Sequence, residues 1–270
     1  MALTKAVILA RGLGTRMRHE AAGARLDDSQ CRVADTGVKG MIPVGRPFLD
    51  YVISALADAG IEEVCLVVCP GHGAIRQRYA EAEVPTRIGV RFAVQQEPLG
   101  TADALAAAEA FAGDDEFLVI NSDNYYPVSV LEAVAWLPGP GLAGFDRASL
   151  AALGNFDDDR ISRYAVLDVA SDGTLLDITE KPDAERWART PADALINMNC
   201  WRFASSIFES ARRIGRSPRG EYELADAVRD AISHGERFHV APVQAAVLDL
   251  SNRADIPAVA TRLAGVRVQL

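Results

Sequence analysis

Two glycines and an arginine follow the first apolar segment of the chain in a pattern that suits an anionic ligand. The segment spans residues 5–10, and Gly12, Gly14 and Arg16 come shortly after it. Glycines let the backbone approach an anion closely and expose its amides, and an arginine can donate paired hydrogen bonds to phosphate oxygens. The pattern predicts a phosphate-binding turn, most suited to a triphosphate, with Lys39 as a further cation.

Two common nucleotide-binding motifs do not fit this turn. A dinucleotide fingerprint requires a third glycine three residues after Gly14, and the chain has Met17 there. A P-loop requires Gly-Lys followed by Ser or Thr, which does not follow the turn. The sequence therefore disfavours nicotinamide, flavin and P-loop folds. Taken alone, the turn could still be a plain connection between a strand and a helix.

Two aspartates end apolar segments that lie far apart in the sequence. Asp123 follows residues 118–120, and Asp249 follows residues 245–248. Carboxylate oxygens are suitable ligands for Mg²⁺, which keeps water and substrate oxygens as its other ligands. One such aspartate alone is more typical of a helix cap or an Asx turn. The pair favours a shared divalent-metal site.

Apolar segments of strand length alternate with segments of helix length in the first half of the chain. The strand-like segments are residues 6–10, 63–69, 90–94 and 117–120, and the helix-like ones are 47–59, 74–82 and 102–110. This alternation predicts a parallel, doubly wound α/β sheet. Ligands of such sheets bind at the carboxyl ends of the strands, where the glycine turn, residues 95–101 and Asp123 are all expected.

The pattern changes near residue 138, after a Pro/Gly cluster at residues 138–141. Strand-like segments then flank a Ser-Asp-Gly turn, and two helix-like segments follow: the strands are predicted at residues 164–169 and 174–179, the helices near 206–213 and 223–234. We expect a hairpin-containing second half that covers the first. The irregular segment 19–38 is predicted to be either a mobile lid or a surface insertion.

Composition limits the classes of function. The 270 residues are 49% hydrophobic, enough for one large α/β domain or a domain with a small appendage. A net charge of -9 argues against a nucleic-acid partner, although a local cationic pocket remains compatible with it. Four cysteines, with no apolar leader or long apolar span, predict a cytoplasmic location and no membrane partner.

Six segments, taken in order, resemble the sugar-1-phosphate nucleotidylyltransferases. They are residues 9–17, 39–47, 95–102, 121–123, 180–182 and 219–226. The resemblance covers nearly the whole chain, and the family includes glucose-1-phosphate thymidylyl- and uridylyltransferases and mannose-1-phosphate guanylyltransferases.

The resemblance implies a single nucleotidyltransferase domain over residues 1–270. Residues 1–137 would be its nucleotide-binding half, and residues 138–270 its sugar-phosphate-binding half. The implied fold is α/β, Rossmann-like and GT-A-like, with a doubly wound, mixed and mainly parallel sheet and a small β-rich sugar-binding subregion.

The resemblance also implies roles for individual residues. The catalytic cations would be Arg16, Lys39 and Lys181. The nucleotide would be contacted by Leu9, Gly12, Gly14, Thr15, Gln95, Gly100 and Thr101. The sugar phosphate would be contacted by Tyr164, Glu180 and Asn197, and Mg²⁺ would be held by Asp123 and Asp249. Without the order of the six segments, the better interpretation would be an ordinary turn or core residue for each of Lys181, Tyr164 and Asn197.

The implied reaction is attack of a sugar-1-phosphate oxygen on the α-phosphorus of a nucleoside triphosphate, which yields a nucleotide-sugar and pyrophosphate. Its partners are therefore the two substrates, with Mg²⁺ as the cofactor, and a homo-oligomer is compatible with the resemblance. Two alternatives stay open. One is nucleotidyl transfer to another phosphorylated alcohol, and the other is a catalytically silent protein that binds nucleotide-sugars.

The chain departs from the family pattern in several places, among them Ser122 in place of the usual glycine before Asp123, and Val38 and Gly40 beside Lys39. Arg11 stands where relatives usually have a small residue, beside the backbone expected to contact the base. Met198 and Asn199 replace a small residue and a glycine, which predicts a narrower or more polar sugar pocket and an unusual sugar or cyclitol phosphate. The segment 19–38 also separates Arg16 from Lys39 by more residues than is usual.

Overall fold

The structure is a computed structural model that describes residues 3–19, 21 and 24–270. Its strands are β1 (Lys5–Leu9), β2 (Glu63–Val68), β3 (Gly89–Val94), β4 (Phe117–Asn121), β5 (Asn124–Tyr125), β6 (Gly141–Asp146), β7 (Ala165–Val169), β8 (Leu175–Thr179), β9 (Leu195–Phe203), β10 (His239–Val243) and β11 (Leu248–Asp249).

Its α-helices are α1 (Thr15–Arg18), α2 (Asp28–Thr36), α3 (Phe48–Asp58), α4 (Gly73–Gln77), α5 (Thr101–Ala106), α6 (Glu109–Ala112), α7 (Val128–Ala135), α8 (Arg147–Leu153), α9 (Asp158–Ile161), α10 (Ala184–Arg189), α11 (Ile207–Arg213), α12 (Leu224–Ser233) and α13 (Asp255–Leu263). A 3₁₀ turn spans Lys39–Met41, and a π-helical turn spans Arg78–Ala82. None of the described helices has both the length and the apolar character needed to span a bilayer.

The main sheet has the strand order β10-β6-β9-β4-β1-β2-β3. The pairings of β10 with β6, of β4 and β2 with β1, and of β2 with β3 are parallel, and β9 pairs antiparallel with both β4 and β6. A hairpin of β7 and β8 branches from β9. The predicted α/β fold with a mixed, mainly parallel sheet is therefore confirmed.

Strand β1 lies at the centre of the sheet, and both of its faces are buried. Ala6 and Ile8 pack into one apolar layer with residues of α3, α7 and α13. Val7 and Leu9 pack into the other layer with residues of α5, α11 and α12. Continuous apolar strands are expected in such a position because helices cover both faces of a parallel sheet.

The second half of the chain extends the main sheet. The sequence predicted only that this half would cover the first. Strands β6, β9 and β10 continue the sheet beyond β4, and β9 lies between β4 and β6. The Pro/Gly cluster ends at Gly141, the first residue of β6. A Cβ at Gly141 would overlap the carbonyl oxygen of His239 on β10. Gly141 therefore allows the two backbones to approach closely.

The segment 19–38 contains α2, which has strong caps. Asp27 accepts hydrogen bonds from the amides of Ser29 (2.8 Å) and Gln30 (2.9 Å), and Gly37 ends the helix in the left-handed conformation. Residues 20, 22 and 23 lie outside the described residues. The described part of the segment is thus largely a capped helix, and its end meets the glycine turn.

Candidate active site

The glycine turn connects β1 to α1 and is fixed against the end of α2. Gly14 has a φ of +61° and a Cβ there would overlap the carbonyl oxygen of Gly37, so that only glycine fits. Arg18 extends from α1 and donates to the carbonyl of Thr36 (2.9 Å). Gly12, by contrast, has open space where a Cβ would stand. The turn is therefore packed against the end of α2 at Gly14, and it has free space beside Gly12.

A cavity of about 420 Å³, called the first cavity here, opens at the carboxyl ends of β1, β3 and β4. It brings together ten residues that were predicted to bind nucleotide, phosphate or metal: Leu9, Gly12, Gly14, Thr15, Arg16, Lys39, Gln95, Gly100, Thr101 and Asp123. Residues that the sequence did not assign a nucleotide-contacting role also line it, among them Ser122, Pro98 and Glu221. Three loops that are distant in sequence therefore share one concave site, as parallel α/β topology requires.

Gln95 has a fixed orientation at one end of the first cavity. Its side chain is 3% exposed, and its Nε2 donates to the carbonyl of Gly100 (3.0 Å) and to Oδ2 of Asp103 (2.7 Å). The loop itself is bonded to Tyr222, whose amide donates to the carbonyl of Leu99 (2.7 Å). A Cβ at Gly100, where φ is +116°, would overlap the Tyr222 backbone. The motif at residues 219–226 thus supports this loop.

Lys39 and Asp123 form an ion pair at the other end of the first cavity. Nζ of Lys39 lies 2.8 Å from Oδ2 of Asp123, and both side chains are about four-fifths buried. Lys39 begins the 3₁₀ turn that follows α2, and Asp123 follows β4. The structure therefore brings Lys39 to the site despite the long segment that separates it from Arg16.

A second cavity, of about 690 Å³, shares Arg16, Asn121 and Asp123 with the first. Its lining includes three more of the predicted residues: Tyr164, Lys181 and Asp249. The two cavities therefore meet at an arginine and an aspartate, which are suitable contacts for phosphate and metal.

Asp249 is the most enclosed carboxylate of the second cavity, and side chains hold both of its oxygens. It is 4% exposed, Arg160 donates to Oδ1 (2.7 Å), and the hydroxyl of Tyr164 donates to Oδ2 (2.8 Å). Its backbone exchanges two hydrogen bonds of 2.8 Å with the side chain of Asn155. Burial and the negative charge of Asp123 raise the pKa of Asp249, against the effect of Arg160.

Tyr164 acts as a neutral hydrogen-bond donor in this arrangement. Burial raises the pKa of its hydroxyl well above the ordinary value, and the adjacent negative charge of Asp249 raises it further. Its proton therefore stays on the phenol at neutral pH and orients the carboxylate.

Arg160 is the main residue of the site that sequence reasoning missed. Besides Asp249, it pairs with Asp255 (2.5 Å), which is 5% exposed and accepts hydrogen bonds from the amides of Ser251 and Asn252 (both 2.9 Å). Arg160 belongs to a polar stretch with no local motif, and Asp249 lies 89 residues further on. No signal in the sequence links the two residues.

Asp123 and Asp249 are the residues that could hold a divalent metal. Both residues line the second cavity, and the negative charge of Asp123 contributes to the raised pKa of Asp249. Within the described residues, no group of three or more His, Cys, Asp or Glu side chains is arranged to hold a metal ion. Two oxygen donors leave positions for water and phosphate oxygens, so that the set fits Mg²⁺.

Two predicted sugar contacts lie outside the linings of both cavities. Asn197 belongs to β9, is 3% exposed, and accepts a hydrogen bond from the amide of Asn199 (2.8 Å). Asn199 has a φ of +60° and itself lines the second cavity. Glu180 follows β8 and is exposed, next to Lys181. The roles of Asn197 and Glu180 in substrate binding remain predictions.

Known proteins are similar to the chain in sequence and in fold. A family model described as nucleotidyl transferase matches residues 23–250. The chain is 28% identical to a glucose-1-phosphate thymidylyltransferase of Streptomyces antibioticus, over 93% of this chain and 64% of that protein. It is 28% identical to a UTP–glucose-1-phosphate uridylyltransferase of Haloferax volcanii, over 93% of each protein.

A low-salt glycan biosynthesis nucleotidyltransferase of Haloferax volcanii is 26% identical, over 86% of this chain and 58% of that protein. The chain thus spans less than two thirds of the length of this relative and of the thymidylyltransferase. A solved UDP-glucose pyrophosphorylase of Acinetobacter baumannii superposes with a TM-score of 0.73 at 18% identity, over 98% of this chain and 95% of that one. At this identity the likeness concerns the fold.

Proposed function

The chain belongs to the nucleotidyl transferase family, and from that premise we propose that it joins a nucleoside triphosphate and a sugar-1-phosphate to give a nucleotide-sugar and pyrophosphate. The observation that carries the proposal is the junction of the two cavities at Arg16 and Asp123. A reaction between two phosphorylated substrates needs two binding spaces that meet where the phosphates react. Two relatives of the chain, a thymidylyltransferase and a uridylyltransferase, act on glucose-1-phosphate, which supports the same reaction.

The nucleotide occupies the first cavity in this proposal. Gln95, Gly100 and Thr101 contact the base, and the backbone of Leu9 and of the glycine turn surrounds the ribose and phosphates. Arg16 and Lys39 lie at the triphosphate end, next to Asp123. This orientation directs the α-phosphate to the junction of the cavities.

The sugar-1-phosphate occupies the second cavity, in the half of the chain that we assign to residues 138–270. Lys181, with a φ of +42°, contributes its ammonium group to the phosphate. Tyr164 lines the sugar pocket, and Glu180 and Asn197 contribute to it from the surrounding backbone segments. Arg16 contacts both phosphates from the junction.

The residues at the junction stabilise the reaction by charge and position. A phosphate monoester has a second pKa of about 6, and its oxygen is therefore a nucleophile at neutral pH without a general base. The approach of two anions is opposed by their repulsion, which Arg16, Lys39 and Lys181 offset. The nucleophilic oxygen attacks the α-phosphorus, and the bond from that phosphorus to the bridging oxygen of pyrophosphate breaks.

Asp123 and Asp249 would hold Mg²⁺ at this junction. When bound, Mg²⁺ supplies positive charge to the phosphate oxygens. Lys39 and Arg160 each neutralise one of the two carboxylates in the present structure. The chain therefore keeps both aspartates oriented by cationic partners.

A screen for pyrophosphate release tests the proposal. Five nucleoside triphosphates (ATP, CTP, GTP, UTP and dTTP) are combined with common sugar-1-phosphates in the presence of Mg²⁺, and we expect turnover with at least one pair. EDTA should abolish it. Absence of turnover with every pair would refute the proposal, and nucleotide binding without turnover would instead support a silent binding protein. Turnover with another phosphorylated alcohol only would support the second alternative.

The same assay tests the role of Asp123. We expect Asp123→Asn to lower turnover by about 100-fold or more, since charge placed at the reacting phosphates has effects of that order. Asp114→Asn makes the same chemical change on an exposed turn and should leave turnover unchanged. Equal turnover in Asp123→Asn and the wild type would exclude the metal role.

A further inference from the structure

We infer that Arg11 reads the nucleotide base, and that Arg11 and Gln95 together select bases with a ring N–H next to a carbonyl, which are uracil, thymine and guanine. The inference rests on the proposed function, because it takes the first cavity as the nucleotide site. Arg11 lines that cavity two residues beyond β1.

The position of the guanidinium directs it to the base end of the cavity. Nη2 of Arg11 lies 3.4 Å from the carbonyl oxygen of Gln96, which follows β3. Strands β2 and β3 lie on one side of β1, and β4 with Asp123 lies on the other. Arg11 therefore extends away from the Lys39–Asp123 pair and toward the loop of Gln95.

The guanidinium of Arg11 lacks the partners that a buried cation normally has. Nε and Nη1 are both buried and have no hydrogen-bond partner among the described residues. A buried donor without a partner destabilises the structure until an acceptor reaches it. Because an arginine side chain has several rotatable bonds, the guanidinium can turn toward a ligand in the cavity. A carbonyl oxygen on the ligand would satisfy it.

His72 follows β2 beside Arg11 and is also without a hydrogen-bond partner at its buried Nδ1 within the described residues. Burial lowers the pKa of His72, and the charges of Arg11 and Arg18 lower it further, against the effect of the Ala10 carbonyl. These effects favour the neutral imidazole, which adds no second positive charge beside the guanidinium.

Gln95 presents the complementary group. Its Nε2 has two hydrogens, and these are donated to the carbonyl of Gly100 and to the carboxylate of Asp103. Both partners can only accept, which fixes the amide orientation and leaves Oε1 as an acceptor for a ligand. Arg11 can only donate. In the register that we infer, Oε1 of Gln95 accepts from the ring nitrogen of the base, and Arg11 donates to the exocyclic group next to it.

Nucleotide bases differ at these two positions, the ring nitrogen and the exocyclic group next to it. Uracil, thymine and guanine have a ring N–H flanked by a carbonyl oxygen, whereas cytosine and adenine have an unprotonated ring nitrogen flanked by an amino group. In this register, cytosine or adenine would place its amino group against the donors of Arg11 and its unprotonated ring nitrogen against Oε1 of Gln95. We therefore expect these two bases to be rejected.

Binding measurements with UTP and CTP test the inference, since these nucleotides share their ribose and triphosphate. Isothermal titration in the presence of Mg²⁺, without acceptor, gives the ratio of the CTP dissociation constant to the UTP dissociation constant. We expect a ratio of at least about 10 in the wild-type protein. We expect Arg11→Met to reduce this ratio at least threefold, and Arg11→Lys to give an intermediate value.

Arg91→Met is the matched control, since it removes an exposed arginine that lies on β3 and is 3.7 Å from Glu63. It should keep the wild-type ratio. Equal weakening of UTP and CTP by Arg11→Met would overturn the inference in favour of a phosphate contact, and a wild-type ratio near one would overturn it without any variant. If Arg11→Met does not fold, the wild-type ratio of dissociation constants still tests whether the site distinguishes uracil from cytosine.

The two proposals fail in different ways. Absence of pyrophosphate release with every substrate pair refutes the proposed reaction, whereas the binding ratio still tests base reading. Turnover with CTP or ATP as efficient as with UTP, dTTP and GTP refutes base reading and leaves the reaction intact.

Discussion

The first cavity is formed largely by loop backbone, whereas the second is formed by side chains from separated segments. In the first, Gly14 is in contact with Gly37 and Gly100 is in contact with Tyr222, so that main-chain atoms set the shape. In the second, Asp249 is held by Arg160 and Tyr164. The shape of the first cavity therefore depends on backbone packing, and that of the second depends on ion pairs and side-chain hydrogen bonds.

This difference determines how each cavity responds to substitution. Close backbone contacts do not tolerate an added atom, because neighbouring main chain cannot move without disturbing its hydrogen bonds. A balanced group of charges tolerates changes of shape better than the loss of one charge. The first cavity should therefore respond most to added volume, and the second to the removal of a cation.

The largest effect is expected for Gly14→Ala in the first cavity. The new Cβ would overlap the Gly37 carbonyl in a left-handed conformation, and we expect a loss of about 4 kcal/mol in the free energy of unfolding. We also expect kcat/KM to fall by about 100-fold, because displacement of the turn moves Arg16. Thermal unfolding and pyrophosphate release measure the two effects.

Gly12→Ala is the control for this prediction. It adds the same atom two residues earlier, where no described atom lies within 4 Å of the new Cβ. We expect its free energy of unfolding to stay within about 0.5 kcal/mol of wild type. If both variants unfold alike, close backbone contact does not determine the shape of the first cavity.

The same difference explains which parts of the structure the sequence predicts. The turn at Gly12 and Gly14 is defined by local spacing, and its predicted residues all line the first cavity. The contact of Arg160 with Asp249 joins distant segments, and an arginine in a polar stretch has no property that identifies its partner. Strand β9 was missed for a related reason, since its antiparallel position between β4 and β6 is set by long-range pairing.

An intermediate effect is expected for Arg160→Met in the second cavity. Loss of the guanidinium leaves the buried carboxylates of Asp249 and Asp255 without their cation. Because Arg160 is one-fifth exposed, we expect a loss of about 2 kcal/mol in the free energy of unfolding, less than for a fully buried pair. Chemical denaturation of wild type and variant measures it.

Arg163→Met is the matched control, since Arg163 lines the same cavity and has no ion pair within the described part of the chain. We expect a change of less than about 0.5 kcal/mol. Equal destabilisation by the two variants would mean that cavity lining, and not charge balance, determines stability in this region.

The smallest effect is expected in the pH dependence contributed by Asp249. Burial and the charge of Asp123 raise the folded-state pKa of Asp249 above its ordinary value of 3.8, which applies to the unfolded chain. Between these two pKa values the folded state binds more protons than the unfolded state, and stability therefore falls as pH rises through this window. Asp249→Asn removes the titration. In EDTA, the free energy of unfolding of wild type minus that of Asp249→Asn should decrease from pH 3.8 upward and then level off above the folded-state pKa. A difference that increases with pH would show that the cations around Asp249 outweigh its burial, and that the second cavity favours the ionised carboxylate even without a metal.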